Sequence, residues 1–249
     1  MHSSSSPCNA RVSVVNISIS FNVMIVNMAT RRRTRKTAPK TAYHHGDLPR
    51  ALVEAAEALI ESGGSARLTL RDAAQAAGVS VAAPYRHFAD REALLAAVLA
   101  KAFRELARST DDARRDAPDA TAALLAVGVA YVAFAGDHPA IYRLMFGPEC
   151  DKSAHPDLMA AGHEALSVLI EAVAACKVAN VIGDADVQQV ALAGWSLSHG
   201  LASLHADGIL AATMPGDLDA TARVVLRMLL DGVRARPAKR KPAVRKRRG

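Results

Sequence analysis

The chain has 249 residues, 51% of them hydrophobic and 4% aromatic, with Gly and Pro too sparse for a fibrous or low-complexity protein. This excludes collagen-like and wholly disordered chains and favours helices packed through Ala, Leu and Val. The net charge of +7 is unevenly placed. Residues 31–40 hold Arg31, Arg32, Arg33, Arg35, Lys36 and Lys40, residues 236–249 hold Arg236, Lys239, Arg240, Lys241, Arg245, Lys246, Arg247 and Arg248, and neither tail has an acid. Residues 41–235 carry sixteen basic residues against all 24 acids, a net of −8. Basic tails on an acidic body point to a polyanionic partner, most often nucleic acid.

Residues 1–42 read as a disordered basic extension and residues 236–249 as a disordered basic tail. The apolar stretch from Val12 to Met28 is interrupted by Asn16, Ser18, Ser20, Asn22 and Asn27. It is too polar for a membrane span of about 20 residues, so no membrane partner is expected. It also makes a poor signal peptide, since only Arg11 supplies charge ahead of it; Met28 reads as the start of the protein and the preceding residues as an upstream extension. Cys8, Cys150 and Cys176 are too few and too widely spaced for a disulfide framework, which fits a cytoplasmic protein.

Asp47 is placed to cap a first helix whose Leu52, Ala55, Ala56, Leu59 and Ile60 share a face, with Gly63 and Gly64 ending it. Thr69 caps a short helix, with Asp72 at capping-box spacing and Leu70, Ala73, Ala74 and Ala77 on the inner side. Gly78 supplies a turn, and Ser80 is placed to cap a further short helix reaching Phe88. Asp90 caps a long helix with Leu94, Leu95, Val98, Leu99, Phe103 and Leu106 at spacings of three and four. Further helices are predicted over 120–136, 139–146, 156–177, 185–207 and 218–234, separated by Gly, Pro and Asp breakers. No segment alternates with period two, so no sheet is expected.

A short helix, a tight Gly turn and a second short helix form a helix-turn-helix, whose second element can enter a DNA major groove. Val81, Ala82 and Ala83 are small enough for close backbone approach, and Tyr85, Arg86 and His87 are long enough to reach phosphates or base edges. Ala74, Ala77 to Ser80, Tyr85, His87, Phe88, Asp90 to Glu92, Leu94 and Leu95, with His44-His45-Gly46-Asp47-Leu48 ahead of the first helix, resemble the DNA-reading segment of the TetR/AcrR family of bacterial transcriptional regulators.

That resemblance implies an all-α homodimer. A three-helix helix-turn-helix domain over 43–90 would read double-stranded operator DNA, and a helical domain over 91–235 would dimerise and bind a small-molecule inducer. By position, it implies phosphate contacts from Thr69, Arg71, Ser80, Tyr85, His87 and Arg91, and places Val81, Ala82, Ala83 and Arg86 nearest the base edges. Pro84 departs from the family pattern: lacking an N–H and crowding the Ser80 carbonyl, it predicts a late start or a tighter first turn for the reading element.

In the second domain, Tyr131, Phe134, Tyr142, Met145 and Phe146 cluster along the central helices, and Trp195 and His199 are one turn apart. With Gly200 they resemble a C-terminal domain type in one TetR subgroup, named for a Trp, a His and a Gly. These seven aromatic, Met and His residues are the expected ligand contacts. The last two helices carry apolar stripes at Val190, Leu197, Leu201 and Leu204 and at Val224, Val225, Leu226, Met228, Leu229 and Leu230, which predict a four-helix interface between two subunits. No HExxH, GxSxG or phosphate-loop pattern occurs, so no catalytic residue, cofactor or metal is expected. Cys150 and Cys176 lack clustered basic neighbours and read as ordinary thiols.

The expected function is a ligand-responsive repressor; the alternative is a helical ligand carrier or enzyme with a vestigial DNA head. Since residues 41–89 sum to −1, long-range attraction to DNA should come from the tails. Deleting residues 1–40 and 236–249 should flatten the salt dependence of DNA binding by about 0.9 per phosphate neutralised while leaving the preferred sequence intact, as read by anisotropy titrations across salt concentrations.

Overall fold

The computed structural model describes residues 47–234. The basic arm, the basic tail, Cys8 and the candidate start at Met28 lie outside the described residues.

Side-chain caps set most of the helix starts. The helices are α1 (Leu48–Gly63), α2 (Leu70–Ala76), α3 (Arg91–Arg115), α4 (Ala120–Asp137), α5 (Pro139–Phe146), α6 (Pro156–Val178), α7 (Val187–Ala206), α8 (Ile209–Thr213) and α9 (Leu218–Val233), with no strand among the described residues. Carboxylates of Asp47, Asp90, Asp119, Asp186 and Asp217 and the hydroxyl of Thr69 accept backbone N–H groups at the first turns of α1, α3, α4, α7, α9 and α2. Each such cap is worth about 1 kcal/mol. Asp72 does not close the reciprocal half of a capping box. Its N–H donates to Thr69 Oγ1 at 3.0 Å, and the Thr69 hydroxyl donates to its carboxylate at 2.7 Å.

The expected helix from Ser80 to Phe88 is replaced by a turn and a 3-10 segment, Pro84–Arg86. Pro84 has no N–H to give Ser80, so the Ser80 carbonyl takes the Ala83 N–H at 3.0 Å, and the tighter spacing continues with Arg86 onto Ala83 and His87 onto Pro84. Gly78 enters this turn at φ 71°, where a side chain would be strained. Helix α8, after Gly208, is short and was not expected from the periodicity.

Helix α3 ties the fold together. Leu94, Leu95 and Leu99, each completely buried, share one core with Leu52, Ala56 and Ile60 of α1, Leu70 and Ala73 of α2, and Phe88. Burial of each such leucine contributes about 1.5–3 kcal/mol. The same core continues through Phe103 and Leu106 to Ile141, Tyr142 and Met145 of α5 and Ala202 of α7, so apolar packing crosses residue 90 without a break. A second core joins α4, α6, α7 and α9.

Helices α4 and α6 are long and apolar enough to cross a membrane by length and composition, and both pack against α3 and α7.

The apolar stripes of α7 and α9 divide. Val190, Leu201, Leu226 and Leu230 belong to the chain's own core, and Leu229 lies against Gly194. Leu192, Leu197 and Leu204 of α7 and Val224 and Met228 of α9 face outward. About half of the predicted intersubunit stripe is therefore intrasubunit packing, because a helix in a bundle must bury one face before it can offer another.

Candidate functional site

The reading segment is anchored from below. Pro84 and Phe88 are buried, and they hold Ser80, Val81, Ala82, Tyr85, Arg86 and His87 on the exposed side, with Ala83 half-buried. Val81 and Tyr85 remain 49% and 59% exposed. Thr69 and Arg71 lie exposed near the start of α2.

Arg91, expected at a phosphate, makes two bonds within the chain. Its Nε donates to the Leu68 carbonyl at 2.9 Å and its Nη2 to the Ser65 carbonyl at 2.8 Å, so it braces the segment leading into α2 against the first turn of α3. The distance along the chain, more than twenty residues, hid this bracing role from sequence reasoning.

Within the helical domain, side chains from three helices converge. Tyr131 of α4, Tyr142 of α5 and His199 of α7 form a closed polar triangle: phenol to phenol 3.1 Å, Tyr131 Oη to His199 Nδ1 3.1 Å, and Tyr142 Oη to His199 Nδ1 2.7 Å. Aromatic rings surround it, with Phe146 edge-on to the imidazole at 4.6 Å and Trp195 at 5.9 Å. Trp195 and Ser203 stand near enough to favour the ionised forms of Tyr131 and Tyr142 respectively. Ser203 was missed by sequence reasoning, although its position one turn beyond His199 was a usable signal. Of the other expected ligand contacts, Met145 is fully buried in the adjoining core and the Phe134 ring packs on His138 at 5.0 Å.

Burial sets the protonation of this cluster. It pushes the Tyr131 phenol up to about 12, despite the opposing hydrogen bonds from Tyr142 and Trp195, and raises Tyr142 well above the ordinary phenol range. Both phenols therefore stay protonated at neutral pH, each with a single proton to give within the triangle, and the direction of the bonds at His199 Nδ1 follows the imidazole's tautomer. Burial lowers the imidazole's pKa below its ordinary 6.5.

A group whose folded pKa is depressed gives stability that is complete above its unfolded value and is lost as pH falls through the folded one. Wild type should thus lose more melting temperature between about pH 7.5 and pH 5.5 than His199→Gln does. Equal losses in circular-dichroism melts would show that the imidazole does not titrate on unfolding.

A cleft of about 370 Å³ opens elsewhere, between the start of α4 at Asp119, Thr121 and Leu125 and the arginines Arg223, Arg227 and Arg234 along and just beyond α9. It shares no residue with the aromatic cluster. Cys150 and Cys176 are both buried, and burial raises both thiols.

Two family models match consecutive parts of this architecture. That for bacterial regulatory proteins of the tetR family covers residues 52–98, the reading head, and that for the tetracyclin repressor-like C-terminal domain covers residues 124–229. The chain belongs to the TetR family. It is a DNA-binding transcriptional regulator and not an enzyme.

Among solved structures, a protein with unknown function from Rhodococcus sp. RHA1 is 34% identical, with a TM-score of 0.70 over 79% of this chain and 100% of that one. The TetR family transcriptional regulator PfmR from Thermus thermophilus is 20% identical, with a TM-score of 0.57 over 74% of this chain and 99% of that one. The transcriptional regulator FadR from Bacillus subtilis, in complex with stearoyl-CoA, is 14% identical, with a TM-score of 0.61 over 74% of this chain and 98% of that one. The last two show likeness of fold alone. No curated protein matches the chain.

Proposed function

We propose that this TetR-family regulator is a cytoplasmic homodimeric repressor released from its operator by a small molecule bound at the Tyr131, Tyr142 and His199 cluster. One observation carries this reading: α3 touches both ends of the molecule. At its first turn Arg91 braces the reading head, and three turns later Phe103 packs edge-on against Phe146 at 5.6 Å, which in turn meets His199 at 4.6 Å. A ligand that separates Phe146 from His199 pushes on the helix that carries the head, and two heads whose spacing changes no longer fit two half-sites together.

The cluster suits a mostly apolar ligand bearing one polar group. The rings offer apolar area, while His199 and the two phenols can exchange their mutual hydrogen bonds for bonds to the ligand. The stearoyl-CoA held by the FadR neighbour shows that a related fold accommodates a long acyl chain. Among the proposed DNA contacts, Ser80, Tyr85, His87, Thr69 and Arg71 hold phosphates, and Val81, Ala82, Ala83 and Arg86 face base edges.

The test begins by selecting genomic fragments that bind the full-length protein. Hydrophobic acids, acyl-CoAs and neutral aromatics are then screened for release of the selected fragment, in wild type and in Tyr142→Phe. A compound that releases wild type at least tenfold more readily than the variant supports the reading. Equal release by both places the ligand elsewhere, with the arginine cleft beside α9 the next position to probe.

A further inference from the structure

The fold brings together three groups that neither the reading head nor the aromatic cluster uses. Glu92 sits in the first turn of α3, Cys150 follows α5, and His155 immediately precedes α6. One ligand atom from each lies within 4.8 Å of the other two, and Glu92 Oε1 stands 3.8 Å from His155 Nε2. Tetrahedral zinc with sulfur, nitrogen and oxygen donors at 2.0–2.3 Å requires donors roughly 3.3–3.8 Å apart. Closing this triangle therefore takes movements on the order of 1 Å.

The surroundings favour such closure. The Asp151 N–H donates to Glu92 Oε1 at 2.8 Å, which fixes the carboxylate; a carboxylate oxygen has a second lone pair for an ion beside such a hydrogen bond. The Asp151 carboxylate is turned away, taking the backbone N–H and hydroxyl of Ser153. The Lys152 ammonium is engaged with the Gly147 carbonyl at 2.6 Å and does not fill the triangle. Cys150 is buried, and Glu92 and His155 are half-buried, so the site is shielded yet reachable.

We propose that Glu92, Cys150 and His155 form a zinc site that clamps the first turn of α3 to the loop between α5 and α6. A thiolate, an imidazole and a carboxylate together suit borderline-soft Zn²⁺ better than Mg²⁺ or Ca²⁺, which take oxygen alone. On binding, the six-coordinate aqua ion gives up five waters and takes these three donors, the Cys150 thiol releases its proton to solvent, and one water remains as fourth ligand. Glu92 directly follows Arg91, which holds the carbonyls ahead of α2. Zinc here cross-braces the reading head against the helical domain, a means of regulation separate from the inducer site proposed above.

Co²⁺ replaces Zn²⁺ as a visible probe. The full-length chain, kept reduced without thiol reagents, should bind one Co²⁺ with a thiolate-to-cobalt charge-transfer band and intense four-coordinate visible bands, both erased by added Zn²⁺. Cys150→Ser should lose the charge-transfer band while Cys8→Ser keeps it, and His155→Ala should weaken binding at least tenfold. Glu92→Gln, which retains an acceptor for the Asp151 N–H and so preserves the local fold, should weaken it similarly. Circular dichroism establishes that each variant is folded. The proposal is overturned if folded wild type gives no charge-transfer band, if Cys150→Ser keeps it, or if binding survives unchanged in Glu92→Gln. Pale six-coordinate spectra, as expected from binding through His44 and His45, overturn it equally.

Discussion

Replacing Leu204 and Met228 together by Glu is expected to convert the protein from dimer to monomer in sedimentation and to abolish specific DNA binding. These side chains are 43% and 69% exposed on α7 and α9 and belong to no core of the single chain, so the substitutions leave the monomer's packing intact. In a four-helix interface each glutamate buries an unpaired charge, and the two-fold axis doubles the number to four, at a cost of several kcal/mol per site. Operator binding requires two heads held at one spacing, so affinity should fall toward the nonspecific level, about a thousandfold or more. Leu229→Glu would be the wrong test, since Leu229 packs on Gly194 inside the chain and its replacement would unfold the domain as readily as it separated subunits. A doubly substituted protein that still sediments as a dimer would move the interface away from α7 and α9.

The second large effect is expected at Arg86. It stands exposed at the end of the 3-10 segment, where the buried Pro84 and Phe88 fix the backbone beneath it. A guanidinium held this way suits bidentate contact with a guanine edge, worth about 1–3 kcal/mol per half-site and twice that for a dimer. Arg86→Ala should therefore narrow the gap between operator and random DNA by about 30-fold or more, while Tyr85→Phe weakens both alike by removing a phosphate contact. Competition binding with operator and scrambled duplexes distinguishes the two. Equal weakening of both duplexes by Arg86→Ala would make Arg86 a phosphate contact.

The sequence by itself determined the local architecture. Asp47, Thr69 and Asp90 mark helix starts because capping needs only a side chain and the next two or three backbone amides. Gly78 marks the turn because a positive φ is a property of one residue, and Pro84 announced the tightened reading element because its missing N–H is equally local. The family signature between Ala74 and Leu95 was legible for the same reason, being a continuous string. What only the tertiary structure decided is whatever depends on which faces meet. The apolar stripes of α7 and α9 have the same period whether they pack inward or outward, so only the bundle separates Leu201 and Leu226 from Leu204 and Met228. Tyr131, Tyr142 and His199 were each singled out, but their closed triangle needs three helices crossing at one level. The bracing role of Arg91 exists only because carbonyls more than twenty residues away come within 3 Å of it. Glu92, Cys150 and His155 have no ligand spacing, since the chain separates the first from the others by almost the whole span of α3, α4 and α5. Pairings of this kind leave no mark on a periodicity or a motif, because their geometry is set by where whole helices come to rest.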